Sequence, residues 1–307
     1  MIANSGHDEK GGYSGGQTGD QTGTEWQIQK WYNRPWDCVL RYPDIKVGMK
    51  IAELARQAAN NNNIGYNQGN RLSFWYALEK AGYQPKNIKT KCDADCSAGV
   101  TAIVKAVGYL MGIQKLKELA ITNYTGSMKN NFKNAGFKVL TDERYLISAR
   151  DLIPGDILLN EKHHTCINLD YYEDDWIYDT KVGKWWYRYK DGSYPKGEWV
   201  EIKNEDYYFD DEGWLLTDQY IKSKDYVTNG KLYYVDDDGA WDGHTYYWKH
   251  NDKGWWLESD TGWYPKSEWC FIAGKWYYFK DSGYMATGTL TIDGKIYSFN
   301  KDGALVG

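Results

Sequence analysis

The sequence predicts an α+β domain followed by an all-β array of aromatic β-hairpin repeats, and three observations carry that prediction. Before about residue 172, apolar residues recur at helical spacing and then give way to short β-branched runs. Beyond it, Lys184 to Gly213 aligns without a gap on Gly254 to Gly283 at an offset of 70, the signature of an internal repeat. Aromatic residues make up 17% of the chain, and twelve of its sixteen Trp lie after residue 175, so the repeats carry the rings.

Residues 1–36, with GGYSGG and TGDQTG, form a Gly-rich arm with no assignable fold. In DIKVGMKIAELARQAAN, from Asp44 to Asn60, residues Ile51, Leu54, Ala55 and Ala58 fall on one helical stripe. Asn70 is positioned to cap a second helix, LSFWYALEKAG, ending at Gly82. Cys96 to Gly112 places Val100, Ile103, Val104, Val107 and Met111 on the face of a third, and a further helical stretch surrounds Met128 to Asn134. Pro154-Gly155-Asp156 is a turn leading into ILLN, and HHTCINLDY alternates as a strand. Domain boundaries are expected at 1–171, with a linker at 172–181 and the repeats at 182–307. In each repeat, a run such as Lys275-Trp276-Tyr277-Tyr278-Phe279 has period 2, and Lys280-Asp281-Ser282-Gly283 supplies a turn. A lone hairpin cannot bury its aromatic face, so the units are expected to stack as a solenoid-like row.

The 307 residues carry a net charge of −5, which argues against a nucleic-acid partner, because such partners require a basic footprint. No window approaches the roughly 20 apolar residues of a membrane span, so membrane insertion is not expected. Five cysteines, odd in number and scattered, do not suggest a disulfide framework. MIANSGHDEK lacks the apolar core of a signal peptide, which suggests synthesis in a host cytoplasm and release by another route.

Cys96 lies where the third helix begins, after Asp95, where a helix dipole and free N–H groups would lower its pKa. A buried structural cysteine is the plainer reading of that placement. A nucleophilic Cys also needs an imidazole base, and this half of the chain holds only His7, His163 and His164. Neighbours on a strand face opposite ways, so at most one of His163 and His164 meets Cys96. Cys92, Cys96, His164 and Cys166 are a rival set of zinc ligands, but C-D-A-D-C is a poor knuckle, so no metal and no cofactor is expected.

CDADCSAG at a helix start, then LIPGDILLNEKHHTCINLDY about sixty residues later, resembles the papain-like NlpC-type peptidoglycan hydrolases in their phage endolysin amidase branch. The repeats, including KDGSYPKGEW, resemble choline-binding cell-wall repeats. The resemblance implies a papain-like catalytic domain that cleaves an amide in peptidoglycan, first as an N-acetylmuramoyl-L-alanine amidase and second as a stem-peptide endopeptidase. It implies Cys96 as nucleophile, His164 as base and Tyr66 at the groove or the oxyanion. For the third polar group, Asn168, Asp175, Asp179, His7 and Asp20 stay open. A non-enzymatic adhesin with wall-binding repeats is the alternative outside catalysis.

Paired Trp and Tyr on adjacent hairpins can cage a quaternary ammonium group by cation–π attraction, and flat rings also stack on sugars. Choline is implied by the resemblance, and a wall glycan or polymer is a physically equal ligand. Trp199, Trp269, Tyr207, Tyr277, Trp214, Trp241 and Trp276 are the expected ligand-facing rings.

Overall fold

A computed structural model describes residues 1–306. It divides into two compact units: 1–175 together with Tyr189–Ser193, and Trp176–Arg188 together with the chain from Tyr194 onward.

The first unit is α+β. Its elements are β1 (Ile2–Ser5), β2 (Trp26–Gln29), β3 (Cys38–Arg41), α1 (Ile45–Ala59), β4 (Ile64–Tyr66), α2 (Ser73–Lys80), β5 (Cys92–Ala94) and α3 (Cys96–Met111). They are followed by α4 (Gln114–Lys117), α5 (Thr125–Asn134), β6 (Lys138–Leu140), β7 (Ile157–Asn160) and β8 (His164–Asn168). Six strands form one antiparallel sheet in the order β2-β1-β8-β7-β3-β6. Helix α3 is buried nearly all round and packs with α1, α2 and α5 against Ala3, Leu159 and Ile167 of the sheet. Ile2, Trp36, Val39, Leu152, Leu158 and Cys166 form a second, smaller apolar cluster. Burying these side chains is the main term holding the unit together.

Asp44 caps α1 by accepting the Lys46 N–H at 2.9 Å. Asn70 does not cap α2. It sits in a 3₁₀ turn with its amide on Asp93, and the helix starts at Ser73. His163 lies in the turn between β7 and β8 and is exposed, whereas His164 opens β8 and is buried. The two therefore part company because the strand has not yet begun at His163, not because they alternate along it.

The Gly-rich arm is the largest departure from expectation. It holds β1 and β2, and its loop is stitched over β4: the Gly19 N–H donates to Asp93 at 2.8 Å, and Glu25 accepts the Tyr66 N–H at 2.9 Å. Gly99 of α3 is required for this packing, since a Cβ there would stand 2.9 Å from the Trp26 ring. Composition hides these strands because Gly, Asp and Thr signal loops, while β8, the partner that joins β1 to the rest of the sheet, lies more than 160 residues away.

The second unit is built of hairpins: β9 (Asp175–Asp179) with β10 (Lys184–Arg188), β11 (Glu198–Ile202) with β12 (Glu205–Phe209), β17 (Glu268–Ile272) with β18 (Lys275–Phe279), and β19 (Gly288–Ile292) with β20 (Lys295–Phe299). The region read as a linker, 172–181, carries β9. Between them, β13 (Gln219–Lys222), β14 (Leu232–Val235), β15 (Trp241–Asn251) and β16 (Gly254–Ser259) form a meander, and β13 joins β17 in parallel. The unit thus contains a six-stranded sheet as well as isolated hairpins. The 70-residue offset holds in three dimensions: β10, β11 and β12 start 70 residues before β16, β17 and β18. The tight turns fall one strand earlier than expected. They close at Lys203-Asn204, Ala273-Gly274 and Asp293-Gly294, with both residues at positive φ, the backbone of type I′ turns. Lys280–Gly283 instead leads from one hairpin toward the next.

Candidate active site and aromatic cages

Asp95 organises the start of α3. Its carboxylate accepts the Ala98 N–H at 2.7 Å and the Ser97 hydroxyl at 2.9 Å, and its other oxygen pairs with Arg71 Nε at 2.8 Å. This fixes the first helical turn, and with it Cys96. The thiol is 8% exposed. Burial, with Asp95 next to it, pushes the Cys96 thiol up to about 11, although the Thr165 and Ser97 backbone amides and Arg71 act in the opposite sense. The dipole therefore does not win: a sulfur withdrawn from water is held as a thiol until a base takes its proton.

The Thr165 amide that faces this sulfur follows His164 directly on β8. Register explains what holds His164. Ile2 pairs with Asn168 and Ala3 with Ile167, so Asn4 comes opposite Cys166, and His164 is its diagonal neighbour on the same face. The His164 Nε2 lies 2.6 Å from Asn4 Oδ1. An amide oxygen only accepts, so Nε2 carries the proton and donates, which leaves the Nδ1 lone pair free. Burial, reinforced by the positive charge of Arg34, holds His164 down at about 4, so the imidazole is neutral and able to accept a proton. The Trp36 ring, 6.2 Å from the imidazole, covers its flank.

Tyr66 is buried, its hydroxyl accepts from Gln68 Nε2 at 3.2 Å, and burial beside Cys96 drives its pKa far up. A phenol held neutral in this way keeps its own proton to donate. Asn168 is placed elsewhere. Its amide donates to the Ile153 and Asp170 carbonyls at 3.0 and 2.7 Å, bracing the turn before β7. The other candidates are also committed away from His164: His7 to the Asp8 carbonyl, Asp20 to backbone N–H groups of its own loop, and Asp179 to a turn in the second unit. Asp175 opens β9 and is exposed. Sequence reasoning missed Asn4, together with Tyr32 and Arg34, which lie within electrostatic reach of Cys96 and His164 respectively. No periodic signal marks Asn4: the run IANS is four residues long and does not alternate.

Cys92 turns its sulfur toward the Asn63 carbonyl at 3.6 Å. Among the described residues, no three His, Cys, Asp or Glu side chains converge as metal ligands, and all five cysteines are buried and unpaired.

In the second unit, three ring clusters enclose open space. Trp199, Tyr233 and Trp241 line a cavity of about 260 Å³ with Asp206 at its edge. Their planes meet at 66–90° and their centroids lie 5.7–6.5 Å apart. Trp186, Tyr194 and Trp214 line a second of about 270 Å³ beside Asp179 and Glu212. Trp256, Tyr264 and Tyr284 line a third of about 220 Å³ beside Glu258. The second and third are one cage in two repeats, since Trp186/Trp256, Tyr194/Tyr264 and Trp214/Tyr284 are each 70 apart. Of the expected rings, Trp199, Trp214 and Trp241 line cages. Trp269 packs on Tyr278, Tyr297 and Phe299, Tyr207 on Trp176, Tyr277 on Trp248, and Trp276 on Phe271. Those four join rings to rings between strands. Trp186, Tyr194, Trp256 and Tyr264 were among the matched repeat positions and were the better signal.

Residues 2–174 match the endolysin-like domain family, and the chain belongs to it. Residues 267–306 match a choline-binding repeat and residues 197–213 a cell wall binding repeat. Two Streptococcus pneumoniae proteins named as endo-beta-N-acetylglucosaminidase are 33% identical over 104 residues, which is 34% of this chain and 14% of theirs. The modular autolysin LytC from Streptococcus pneumoniae is 25% identical, with 50% of this chain and 40% of that chain covered and a TM-score of 0.22. The pneumococcal cell wall endolysin from phage Cp-1, solved with choline, is 27% identical, with 49% and 41% covered and a TM-score of 0.22. The chain spans less than half the length of each of these relatives.

Proposed function

We propose that the chain is a peptidoglycan hydrolase whose first unit cleaves an amide bond by papain-like cysteine chemistry and whose repeats hold it to choline-bearing wall. The observation that carries the catalytic reading is the 2.6 Å contact between His164 and Asn4, which directs the imidazole lone pair away from Asn4 on the strand that also brings the Thr165 amide to Cys96. In this mechanism His164 Nδ1 takes the thiol proton as Cys96 Sγ attacks the amide carbonyl. The oxyanion is met by N–H groups of the first turn of α3 and by the Tyr66 hydroxyl. The protonated imidazole then passes its proton to the leaving amine, and water, deprotonated by His164, hydrolyses the thioester.

N-acetylmuramoyl-L-alanine amidase is the first assignment and stem-peptide endopeptidase the second. The name of the pneumococcal relatives suggests glycosidase chemistry, which requires two carboxyl groups flanking the scissile bond. Asp95, the carboxylate beside Cys96, is spent on the helix cap and Arg71, which favours the amide reading. Three aromatic faces around a space of this size fit a trimethylammonium group, and each contact contributes about 0.5–2 kcal/mol. Mass spectrometry of digested peptidoglycan tests the proposal: new muramic acid and free L-alanyl termini support the amidase, new termini within the stem the endopeptidase, and new reducing sugars overturn the amide reading.

A further inference from the structure

The segment 30–37, which links β2 to β3, is fastened beside His164. Asn160 pairs with His164 in the β7–β8 register, and its side-chain amide donates to the Pro35 carbonyl. The Asp37 N–H donates to the Leu159 carbonyl at 2.8 Å and the Trp36 N–H to the Arg34 carbonyl at 2.6 Å, so the chain turns tightly at Pro35 between Arg34 and the ring that flanks the imidazole. Four arginines of the first unit are half-buried. Arg41 holds Asp156, Arg56 holds Asp170 and Arg71 holds Asp95. Arg34 is the exception: among the described residues it forms no salt bridge, and the group it meets is the neutral Tyr32 hydroxyl. The acidic side chains at the end of the turn are committed elsewhere, Asp37 to the Glu161 N–H at 2.6 Å and Glu161 to Lys129 at 2.9 Å. An uncompensated guanidinium here opposes the chemistry, because His164 must become an imidazolium. After burial, it is the Arg34 charge that holds the proton affinity of His164 down.

We infer that Arg34 is a specificity residue that binds a carboxylate of the leaving peptide, one residue beyond the scissile amide. The inference rests on the amide reading above. His164 hands its proton to the leaving amine, so the leaving peptide lies on the His164 side of Cys96, where Arg34 stands. A planar guanidinium matches a planar carboxylate through two parallel N–H···O bonds. Beyond an N-acetylmuramoyl-L-alanine bond, the first carboxylate on that side is the α-carboxylate of the stem glutamyl residue. Its arrival offsets the charge beside His164, so the peptide that fits also makes the imidazole easier to protonate.

The test is fluorescence anisotropy with the full chain carrying Cys96→Ala, which leaves the probe uncut, in excess free choline. The three probes, labelled on the lysine side chain, are N-acetylmuramoyl-L-alanyl-γ-D-glutamyl-L-lysine, its glutamyl amide and its C-terminal amide. The acidic probe should bind saturably. Amidating the glutamyl carboxylate should weaken binding at least ~10-fold, a loss of ~1.4 kcal/mol, and amidating the C-terminus should not. Arg34→Gln should lose as much for the acidic probe and nothing further for the glutamyl amide, because both changes remove the same contact. Arg34→Lys should recover part of the loss. The inference is overturned by equal binding of the acidic probe and its glutamyl amide, by a loss on C-terminal amidation instead, by an Arg34→Gln loss of equal size for both probes, or by no binding of the acidic probe. The comparison between probes needs no substitution at position 34, so it stands even where a variant folds poorly. Product analysis of digested walls is a separate readout: amide products without Arg34-dependent binding sink the carboxylate site alone, whereas new reducing sugars sink the amide reading.

Discussion

At the residue scale, the site stores no thiolate. Cys96 is held up at about 11 and His164 down at about 4, so each resting group is neutral and the proton moves only when substrate arrives. Wall lysis should therefore keep its acid limb well below the ordinary imidazole value of about 6.5, with an apparent pKa nearer 4 to 5 in a turbidity assay; an acid limb at 6.5 would show that His164 is not the base, or is not buried. The same shift has a stability sign. The unfolded chain binds a proton between pH 6.5 and 4 that the folded chain refuses, so stability falls as pH drops through that window, by about 3 kcal/mol from this group. Cys96→Ser should abolish lysis while leaving wall binding intact, and Cys38, Cys92 and Cys270 should be replaceable by Ala or Ser without loss of the active site. His164→Ala should be inactive and His163→Ala active. Asn4→Ala should lower the rate about 10- to 100-fold and shift the pH profile, whereas a merely structural defect would leave the profile of the folded fraction unchanged. The placement of Cys96 at a helix start and of His164 on a strand was legible because both are local patterns. Asn4 was not, because register across a sheet depends on a partner far away in the chain.

At the element scale, the repeats show which part of a pattern carries information. The alternating runs announced strands, and the 70-residue offset announced equivalent hairpins, yet choosing rings by strand position selected Trp269, Tyr207 and Tyr277, which join hairpins to one another, and Trp276, which packs on Phe271 within its own hairpin. Cage rings come from different segments brought together, as Trp186 of β10 is with Tyr194 and Trp214, so no single strand displays the set. Substituting Trp186 or Trp241 by Ala should weaken choline binding in calorimetry without lowering the melting temperature much. Trp269→Ala should do the opposite, costing roughly 3 kcal/mol of stability as a large, partly buried ring is removed. In the first unit, Arg41 grips Asp156 with two contacts at 2.8 and 2.6 Å, tying β3 to the turn before β7. Asp156→Asn would leave the guanidinium without its charge partner and should destabilise the unit by about 3 kcal/mol in urea unfolding.

At the scale of the whole molecule, the sequence break near residue 172 corresponds to the division between the two units, but the 172–181 segment belongs to structure on either side of it. A fragment beginning at Asp175 should fold and bind choline-substituted resin, while one beginning at Lys181 lacks β9 and Asp179 and should lose the Trp186 cage first; equal binding by the two would show that cage to be silent. A last consequence follows from β1. Its Asn4 is synthesised well before its neighbour β8, which is completed only at Asn168, so the contacts that assemble the site have very high sequence separation. Long-range pairing of this kind forms late and slowly. A chain still emerging from the ribosome holds Cys96 without His164, and the proposed site is complete only when β1 is captured by β8, one of the last strands of its unit. Time of synthesis thereby acts as a lock on activity, and in refolding experiments lysis should recover after helical signal does.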